Sequence, residues 1–179
     1  MKTEDIKLIC DTLLSAEGIC IIGHKNPDGD AIGSTAGLAV LLEAAGKRVQ
    51  VVYPDEPAKR LKFILCGRES VTPDGMGGFT PTLTVALDCA AASRLGLLEN
   101  RADEVGLSID HHDVNTPFAK RTFTDGNASA ASEMVYFIAL ELVRRGVIKE
   151  IDKNIAYPLY AGIASDTGNF KYSNTTPDT

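Results

Sequence analysis

The chain has 179 residues, 44% of them hydrophobic, and carries a formal net charge of −6. This length suits one domain, or a large part of one, and is sufficient to bury a core. No apolar run is long enough to span a membrane, and residues 1–17 lack the pattern of a signal peptide, so we expect a cytoplasmic protein with no membrane partner. The acidic balance argues against a broad nucleic-acid-binding face, although a cleft that binds divalent cations would still accept an anionic substrate.

Hydrophobic periodicity predicts alternating helices and strands along the chain. In the first half we expect a helix with an apolar stripe over 6–14, a strand at 19–22, a helix at 31–42 and a strand at 49–53. In the second half we expect strands at 83–87, 105–109 and 122–124, then helices at 130–145 and 152–165. Pro158 should kink or shorten the last helix. This alternation predicts an α/β protein, with a mainly parallel β-sheet and helices on both faces.

One loop of the first half concentrates polar side chains in a tight turn. It has the sequence G-H-K-N-P-D-G-D-A-I-G-S over residues 23–34, between a buried strand and a helix. A proline and a glycine sharpen the turn, and ligands of open α/β sheets bind at the carboxyl ends of strands. The loop therefore presents His24, Asp28 and Asp30 towards one point. The alternative is a polar turn in which an aspartate caps the helix.

Acidic and histidine side chains also end three later elements. These are Asp88 after the strand at 83–87, Asp110, His111 and His112 after the strand at 105–109, and Asp166 at the end of the last helix. All three histidines of the chain lie near aspartates, either in these loops or, for His24, in the loop at 23–34. Structural histidines would scatter, so we expect a metal site. Imidazoles together with carboxylates suit Mn²⁺, Fe²⁺, Co²⁺ or Zn²⁺ better than Mg²⁺ or Ca²⁺.

The candidate ligands are too numerous for a single ion. Two divalent metal ions about 3.5–4 Å apart, sharing one carboxylate and a water, would use them all. Such a centre generates hydroxide near neutral pH and neutralises phosphate oxygens, which is the chemistry of phosphoester or phosphoanhydride hydrolysis without a covalent intermediate. The alternative of a different class is a metal-binding module that senses a nucleotide without catalysis.

Four segments taken together resemble the DHH phosphoesterases. They are H-K-N-P-D-G-D-A-I-G-S at 24–34, A-L-D-C at 86–89, D-H-H-D-V-N at 110–115 and S-D-T-G-N-F at 165–170. Their order and spacing match the family over essentially the whole chain. The form P-D-G-D-A-I-G-S and the run D-T-G-N-F-K-Y-S-N-T-T are most similar to the bacterial bifunctional nanoRNase and pAp phosphatase branch. Members of this branch trim very short RNAs and dephosphorylate 3′-phosphoadenosine 5′-phosphate (pAp).

The resemblance implies a role for each candidate residue. One ion is held by His24, Asp28 and Asp88, and the other by Asp30, Asp88, His111 and Asp166, so that Asp88 is the bridge. Mn²⁺ is the favoured metal. His112 then faces the scissile phosphate as a hydrogen-bond donor, and Asp110 orients its neighbours. Arg94, which follows the bridging aspartate, is expected either to contact a substrate phosphate or to be a solvated side chain.

The resemblance also implies a domain organisation. Residues 1–179 correspond to the family's catalytic domain, and the G-G-G-H-type motif of its smaller substrate-binding domain is absent, so we expect the chain to stop before that domain. The implied function is hydrolysis of short RNA or pAp, with a short RNA or nucleotide as the partner and a homodimer left open. Hydrolysis of cyclic dinucleotides or of inorganic pyrophosphate is the alternative for the same site. The pyrophosphatases that share this site usually lack a glycine between the two aspartates, so Gly29 argues against that alternative.

Overall fold

The computed structural model describes residues 1–177 and 179. The strands and helices expected from the sequence are all present. In chain order they are α1 (Thr3–Ser15), β1 (Gly18–Ile22), α2 (Gly29–Ala44), β2 (Arg48–Val52), β3 (Leu83–Leu87), β4 (Leu107–Asp110), β5 (Thr122–Thr124), α3 (Ala131–Arg144) and α4 (Lys153–Asp166). 3₁₀ helices at Lys59–Leu65, Pro73–Gly75 and Ala92–Glu104 lie in the connections. No helix in this described part of the chain is long and apolar enough to cross a membrane.

The strands form one sheet in the order β2-β1-β3-β4-β5, and every pairing in it is parallel. This confirms the predicted α/β fold with a mainly parallel sheet. From β1 the chain moves outward to β2 and then returns past β1 to β3, so the strand order reverses between β1 and β3. Ligands of open α/β sheets bind at such a reversal, beyond the carboxyl ends of the strands. The loops after β1 and β3 therefore occupy the position of a ligand site.

Alternate residues of the central strands enter two separate hydrophobic clusters. In β1, Ile19 and Ile21 pack with the α-helices, whereas Cys20 and Ile22 pack with the 3₁₀ helix Ala92–Glu104. Helices thus cover both faces of the sheet, as predicted. The two faces differ, however, because all four α-helices contribute to the first cluster and none contributes to the second. On the second face, Gly96 interrupts the helical path with a φ of 55°.

Of the two effects expected from Pro158, a kink or a shortening, the structure does not show the shortening of α4. The helix runs unbroken over Lys153–Asp166, although a proline inside a helix removes one backbone hydrogen bond. The carboxylate of Asp152 caps its first turn by accepting hydrogen bonds from two backbone N–H groups. Pro158 itself is buried against α2, where Gly33 allows a close approach: a Cβ on Gly33 would lie 2.5 Å from the Pro158 carbonyl oxygen. This packing offsets the lost hydrogen bond, and the intact helix carries its last residue to the edge of the sheet.

Candidate metal centre

The cleft at the carboxyl ends of β1, β3 and β4 is centred on Asp88. This residue directly follows β3 and has a φ of 58°, in the left-handed region that aspartate tolerates better than most residues. Its backbone N–H donates a hydrogen bond to the carbonyl of Ile109 at 3.0 Å, so the neighbouring strand fixes this conformation. The side chain is buried, and it is held where groups from both sides of the cleft reach it.

The two carboxylate oxygens of Asp88 face different histidines. Oδ2 lies 3.4 Å from Nε2 of His24, which follows β1. Oδ1 lies 3.5 Å from Nε2 of His111, which follows β4. A carboxylate that presents one oxygen to each of two separate imidazoles has the geometry of a bridging ligand.

On one side of Asp88 lies a group formed with His24 and Asp28. Their potential ligand atoms all lie within 4.8 Å of one another, and His24 Nε2 is 3.5 Å from Asp28 Oδ2. The other oxygen of Asp28 accepts hydrogen bonds from the N–H groups of Asp30, at 3.1 Å, and Ala31, at 3.0 Å. Asp28 therefore also caps α2, as the polar-turn alternative predicted. Capping uses one oxygen and leaves the second one facing the cleft.

On the other side lies a group formed by Asp30, His111 and Asp166. His111 Nε2 is 3.4 Å from Asp166 Oδ2 and 3.9 Å from Asp30 Oδ2. Asp30 is fully buried and accepts hydrogen bonds from the N–H groups of Ala131, at 2.6 Å, and Ser132, at 2.9 Å. These donors form the first turn of α3, where the helix dipole also favours a negative charge.

Both inward-facing histidines are held by backbone carbonyls. Nδ1 of His24 lies 2.7 Å from the Lys25 carbonyl oxygen, and Nδ1 of His111 lies 3.3 Å from the Ala128 carbonyl oxygen. A carbonyl only accepts, so Nδ1–H is the donor in each case, and Nε2 of the neutral ring is left with a lone pair for a cation. Nε2 of His24 and Oδ1 of Asp88 are buried polar atoms without a hydrogen-bond partner among the described residues. Atoms of this kind require a partner, and a bound cation would provide it.

The pKa values of the clustered side chains also indicate that the cleft favours a positive charge. Burial acts to lower the pKa of His24, but the carboxylates of Asp28 and Asp88, which lie 3.5 and 3.4 Å from Nε2, outweigh it and raise that pKa to about 10. Burial likewise opposes a rise at His111, yet Asp88 and its neighbouring carboxylates raise the pKa of His111 to about 9. Burial and the charge of Asp88 raise the pKa of Asp30 to about 7. Without a metal, protons must balance the crowded carboxylates, and a divalent cation can replace them.

His112 points differently from His111. Its Nδ1 lies 2.8 Å from Asp110 Oδ1 and 3.6 Å from Asp88 Oδ1, so the hydrogen bond with Asp110 engages this nitrogen and leaves Nε2 free. That hydrogen bond is the main reason why the pKa of His112 is raised. The second oxygen of Asp110 accepts a hydrogen bond of 2.5 Å from the amide of Asn115. Asn115 could not be predicted as a functional residue, because nothing in the spacing indicates which side chain pairs with Asp110.

Arg94 lies half-buried in the 3₁₀ helix that follows β3. Its carbonyl accepts a hydrogen bond of 2.8 Å from the N–H of Lys25, so this helix is tied to the loop after β1. Its guanidinium is near enough to the buried Cys89 to oppose the rise in the pKa of that thiol. Contact between Arg94 and a substrate phosphate stays a prediction.

The structure therefore brings together the six side chains expected to bind metal, in two groups of potential ligand atoms, and a third group joins Asp88 and His111 to His112. The six side chains are His24, Asp28, Asp30, Asp88, His111 and Asp166. Imidazole nitrogens combined with carboxylate oxygens suit divalent transition-metal cations. The arrangement fits divalent cations in its geometry, in its unpartnered atoms and in its charge.

The fold and this set of loop residues define a protein of the DHH family, and the chain belongs to that family. The model of the DHH family N-terminal domain matches residues 18–163. A protein of Thermus thermophilus named bifunctional oligoribonuclease and PAP phosphatase NrnA is 36% identical, over 98% of this chain and 51% of its own. The protein of the same name from Bacillus subtilis is 31% identical, over 100% of this chain and 54% of its own.

A solved structure shares the fold over nearly the whole chain. The crystal structure of an exopolyphosphatase-related protein from Bacteroides fragilis superposes with a TM-score of 0.85 at 28% identity, covering 99% of this chain and 54% of that one. The chain thus spans about half the length of the relatives it matches.

Proposed function

We propose that the chain is the catalytic domain, residues 1–179, of a metal-dependent phosphoesterase that hydrolyses short oligoribonucleotides and pAp. Membership of the DHH family and the printed names of the relatives support this class of substrate. The observation that carries the proposal is the position of Asp88, whose two oxygens face His24 and His111 separately. A shared carboxylate between two groups of ligands is what a dinuclear hydrolytic centre needs.

We further propose two ion positions that share Asp88. The first position uses His24, Asp28 and Asp88, and the second uses Asp30, Asp88, His111 and Asp166. Mn²⁺ is the favoured ion, because imidazole and carboxylate ligands are mixed in both. Ions held by these residues would supply charge neutralisation at the phosphate oxygens and would lower the pKa of a water towards neutrality.

The protein's own residues prepare the cleft for this reaction. The carbonyls of Lys25 and Ala128 hold the two histidines with Nε2 inward, and the first turn of α3 fixes Asp30. The carboxylate of Asp110 stabilises the charged form of His112. In that form Nδ1–H donates to Asp110 while Nε2–H is available for a phosphate oxygen or the leaving group.

Metal-dependent turnover tests this proposal directly. The chain, loaded with Mn²⁺, is assayed on an activated aryl phosphodiester, a diribonucleotide, pAp, a cyclic dinucleotide and pyrophosphate, with Asp88→Asn as the inactive control. We expect hydrolysis of the aryl diester and of the nucleotide substrates, lost in the variant and on chelation. Binding of Mn²⁺ without turnover of any substrate would favour a nucleotide-sensing module, and preference for pyrophosphate or a cyclic dinucleotide would reassign the substrate.

A further inference from the structure

Asn174 lies beyond α4, in the part of the D-T-G-N-F-K-Y-S-N-T-T run to which the sequence analysis assigned no role. Its side-chain amide donates two hydrogen bonds, to the carbonyl of Ser129 at 3.0 Å and to the carbonyl of Asp166 at 3.2 Å. An asparagine amide group carries two N–H donors, so this one side chain ties two separate segments together.

One segment carries a ligand of the second proposed ion position, and the other supports a ligand of the same position. Asp166 is itself a ligand candidate, at the end of α4. Ser129 precedes the turn of α3 whose N–H groups, on Ala131 and Ser132, hold the carboxylate of Asp30. The amide of Asn174 therefore spans from the Asp166 ligand to the segment that fixes the Asp30 ligand.

The Ser129 end of this connection is itself rigid. The N–H of Ser129 donates to the carboxylate of Glu133 at 2.8 Å, and the Ser129 hydroxyl donates to the same oxygen. Ser129 is thus locked onto the first turn of α3, and its carbonyl has a fixed direction relative to that helix. A bond from Asn174 to this carbonyl restrains the start of α3, and not merely a mobile loop.

The first ion position depends on different supports. Its ligands His24 and Asp28 are held by the Lys25 carbonyl and by the cap of α2. Neither support includes Asn174 among its hydrogen-bonding partners. Changing Asn174 should therefore act on one ion position and spare the other.

We infer that Asn174 is a positioning residue for the second ion position, setting the separation between the start of α3, which holds the carboxylate of Asp30, and Asp166 at the end of α4. This inference rests on the proposed function, because it presupposes that the two groups of ligands bind ions. In this proposal Asn174 acts through the two carbonyls that its amide contacts.

The test compares Mn²⁺ binding by wild type and Asn174→Asp, using titration calorimetry and the electron paramagnetic resonance signal of coupled Mn²⁺ pairs. The substitution keeps the size of the side chain but replaces the NH2 group, which makes both bonds, with a carboxylate oxygen that repels the two carbonyls. We expect the dissociation constant of one ion to rise about 10–100-fold, as for other residues that support metal ligands, with loss of the coupled signal. The other ion should bind as in wild type.

Two further variants make the result specific. Asp28→Asn weakens the first position, so the double variant Asp28→Asn/Asn174→Asp should lose both ions. Asn154→Asp is the matched control, because the amide of Asn154 donates to Asp152 at 2.9 Å at the opposite end of α4. It should leave both ions bound. If Asn174→Asp does not fold, Asn174→Ser, which keeps a single donor, replaces it with the same expectation.

The outcomes separate this inference from the function on which it rests. Failure of wild type to bind any ion overturns both. If wild type binds two ions and Asn174→Asp binds both as wild type does, or binds both equally more weakly, only the role of Asn174 is overturned. A fall in thermal stability without selective loss of one ion would assign Asn174 a purely structural role.

Discussion

Asp88 is the residue on which both proposed ion positions depend. It is buried, it adopts the left-handed conformation, and its two oxygens face histidines that come from opposite sides of the cleft. Asp28, by contrast, faces only His24 and uses its other oxygen to cap α2. Changing each of the two aspartates to asparagine should therefore have different effects on metal binding.

Asp88→Asn should weaken binding of both Mn²⁺ ions, whereas Asp28→Asn should weaken mainly one. Neither change should unfold the domain, since asparagine has the size of aspartate and also tolerates a positive φ. Calorimetric titration, with circular dichroism to verify folding, measures the difference. Similar and mild losses in the two variants would mean that Asp88 does not bridge.

Proton release on metal binding follows from the raised pKa values of the histidines. With pKa values of about 10 for His24 and about 9 for His111, both rings are protonated on both nitrogens, and so positively charged, in the metal-free chain at pH 7.5. A histidine that binds a metal must be neutral, so binding should expel about two protons from these rings. Affinity should therefore fall as the pH is lowered.

Calorimetry in buffers of different ionisation enthalpy counts these protons directly. The matched control is His112→Gln, because His112 directs Nδ1 to Asp110 and is not a ligand in this proposal. It should leave the count unchanged. Release of no protons at pH 7.5 would contradict the charge balance described for the metal-free cleft.

Asn115 should affect catalysis without affecting metal binding. Asn115→Ala removes the amide that fixes Asp110, and Asp110 in turn orients His112. We expect kcat on an aryl phosphodiester to fall about 10-fold or more, within the range seen when supporting hydrogen bonds are lost, while both ions bind normally. Val114→Ala is the control, because Val114 lies in the same loop with 86% of its surface exposed. Loss of an ion in Asn115→Ala would instead place Asn115 in support of a ligand.

The contact between α2 and α4 connects packing to the site, since these helices carry Asp30 and Asp166. The helices cross at glycines: a Cβ on Gly33 would lie 2.5 Å from the Pro158 carbonyl oxygen and 2.8 Å from Cα of Gly162. Both neighbours are backbone atoms and cannot rotate away. The close crossing therefore depends on the absence of a side chain.

Gly33→Ala should destabilise the protein, although alanine favours helices by up to about 1 kcal/mol over glycine. The clash would force the helices apart, at a cost of about 1–3 kcal/mol typical of overpacking. Urea unfolding measures this loss. Gly77→Ala provides the control, because a Cβ there would meet no atom within 4 Å. A Gly33→Ala variant as stable as wild type would show that the helices can separate freely.

As a whole molecule, the chain is acidic and spans about half the length of its relatives. An anionic substrate must therefore be attracted by cations in the cleft, since the net charge is −6. The groups proposed to bind metal all lie within this chain. Binding energy from the non-reacting parts of a substrate normally comes from further contacts, which the remaining half of the relatives could supply.

We predict that this chain hydrolyses a small activated phosphodiester but discriminates poorly among dinucleotides, longer RNA and pAp. Fusion to the second half of the Thermus relative should raise kcat/KM on a dinucleotide far more than on the activated diester. Steady-state kinetics of both proteins on both substrates make the comparison. Equal kcat/KM values on the dinucleotide would show that specificity resides in residues 1–179.

The sequence by itself determined the elements and the chemistry of the site. Apolar runs predicted β1, β3 and β4, and the aspartates and histidines follow these strands within a few residues or, for Asp166, end α4. Such local patterns can be recognised in the sequence because a strand end and the residues that follow it are close together in the chain. The sequence therefore indicates all six side chains that meet in the cleft.

Only the tertiary structure decided how those side chains are divided and held. The strand order placed Asp88 between the loops of β1 and β4, and it aimed each carboxylate oxygen at a different ring. The donors to Asp30 come from a helix about a hundred residues later in the chain, and the tolerance of Pro158 comes from a glycine in another helix. Contacts between segments so far apart in the chain depend on tertiary packing, so local sequence patterns do not predict them.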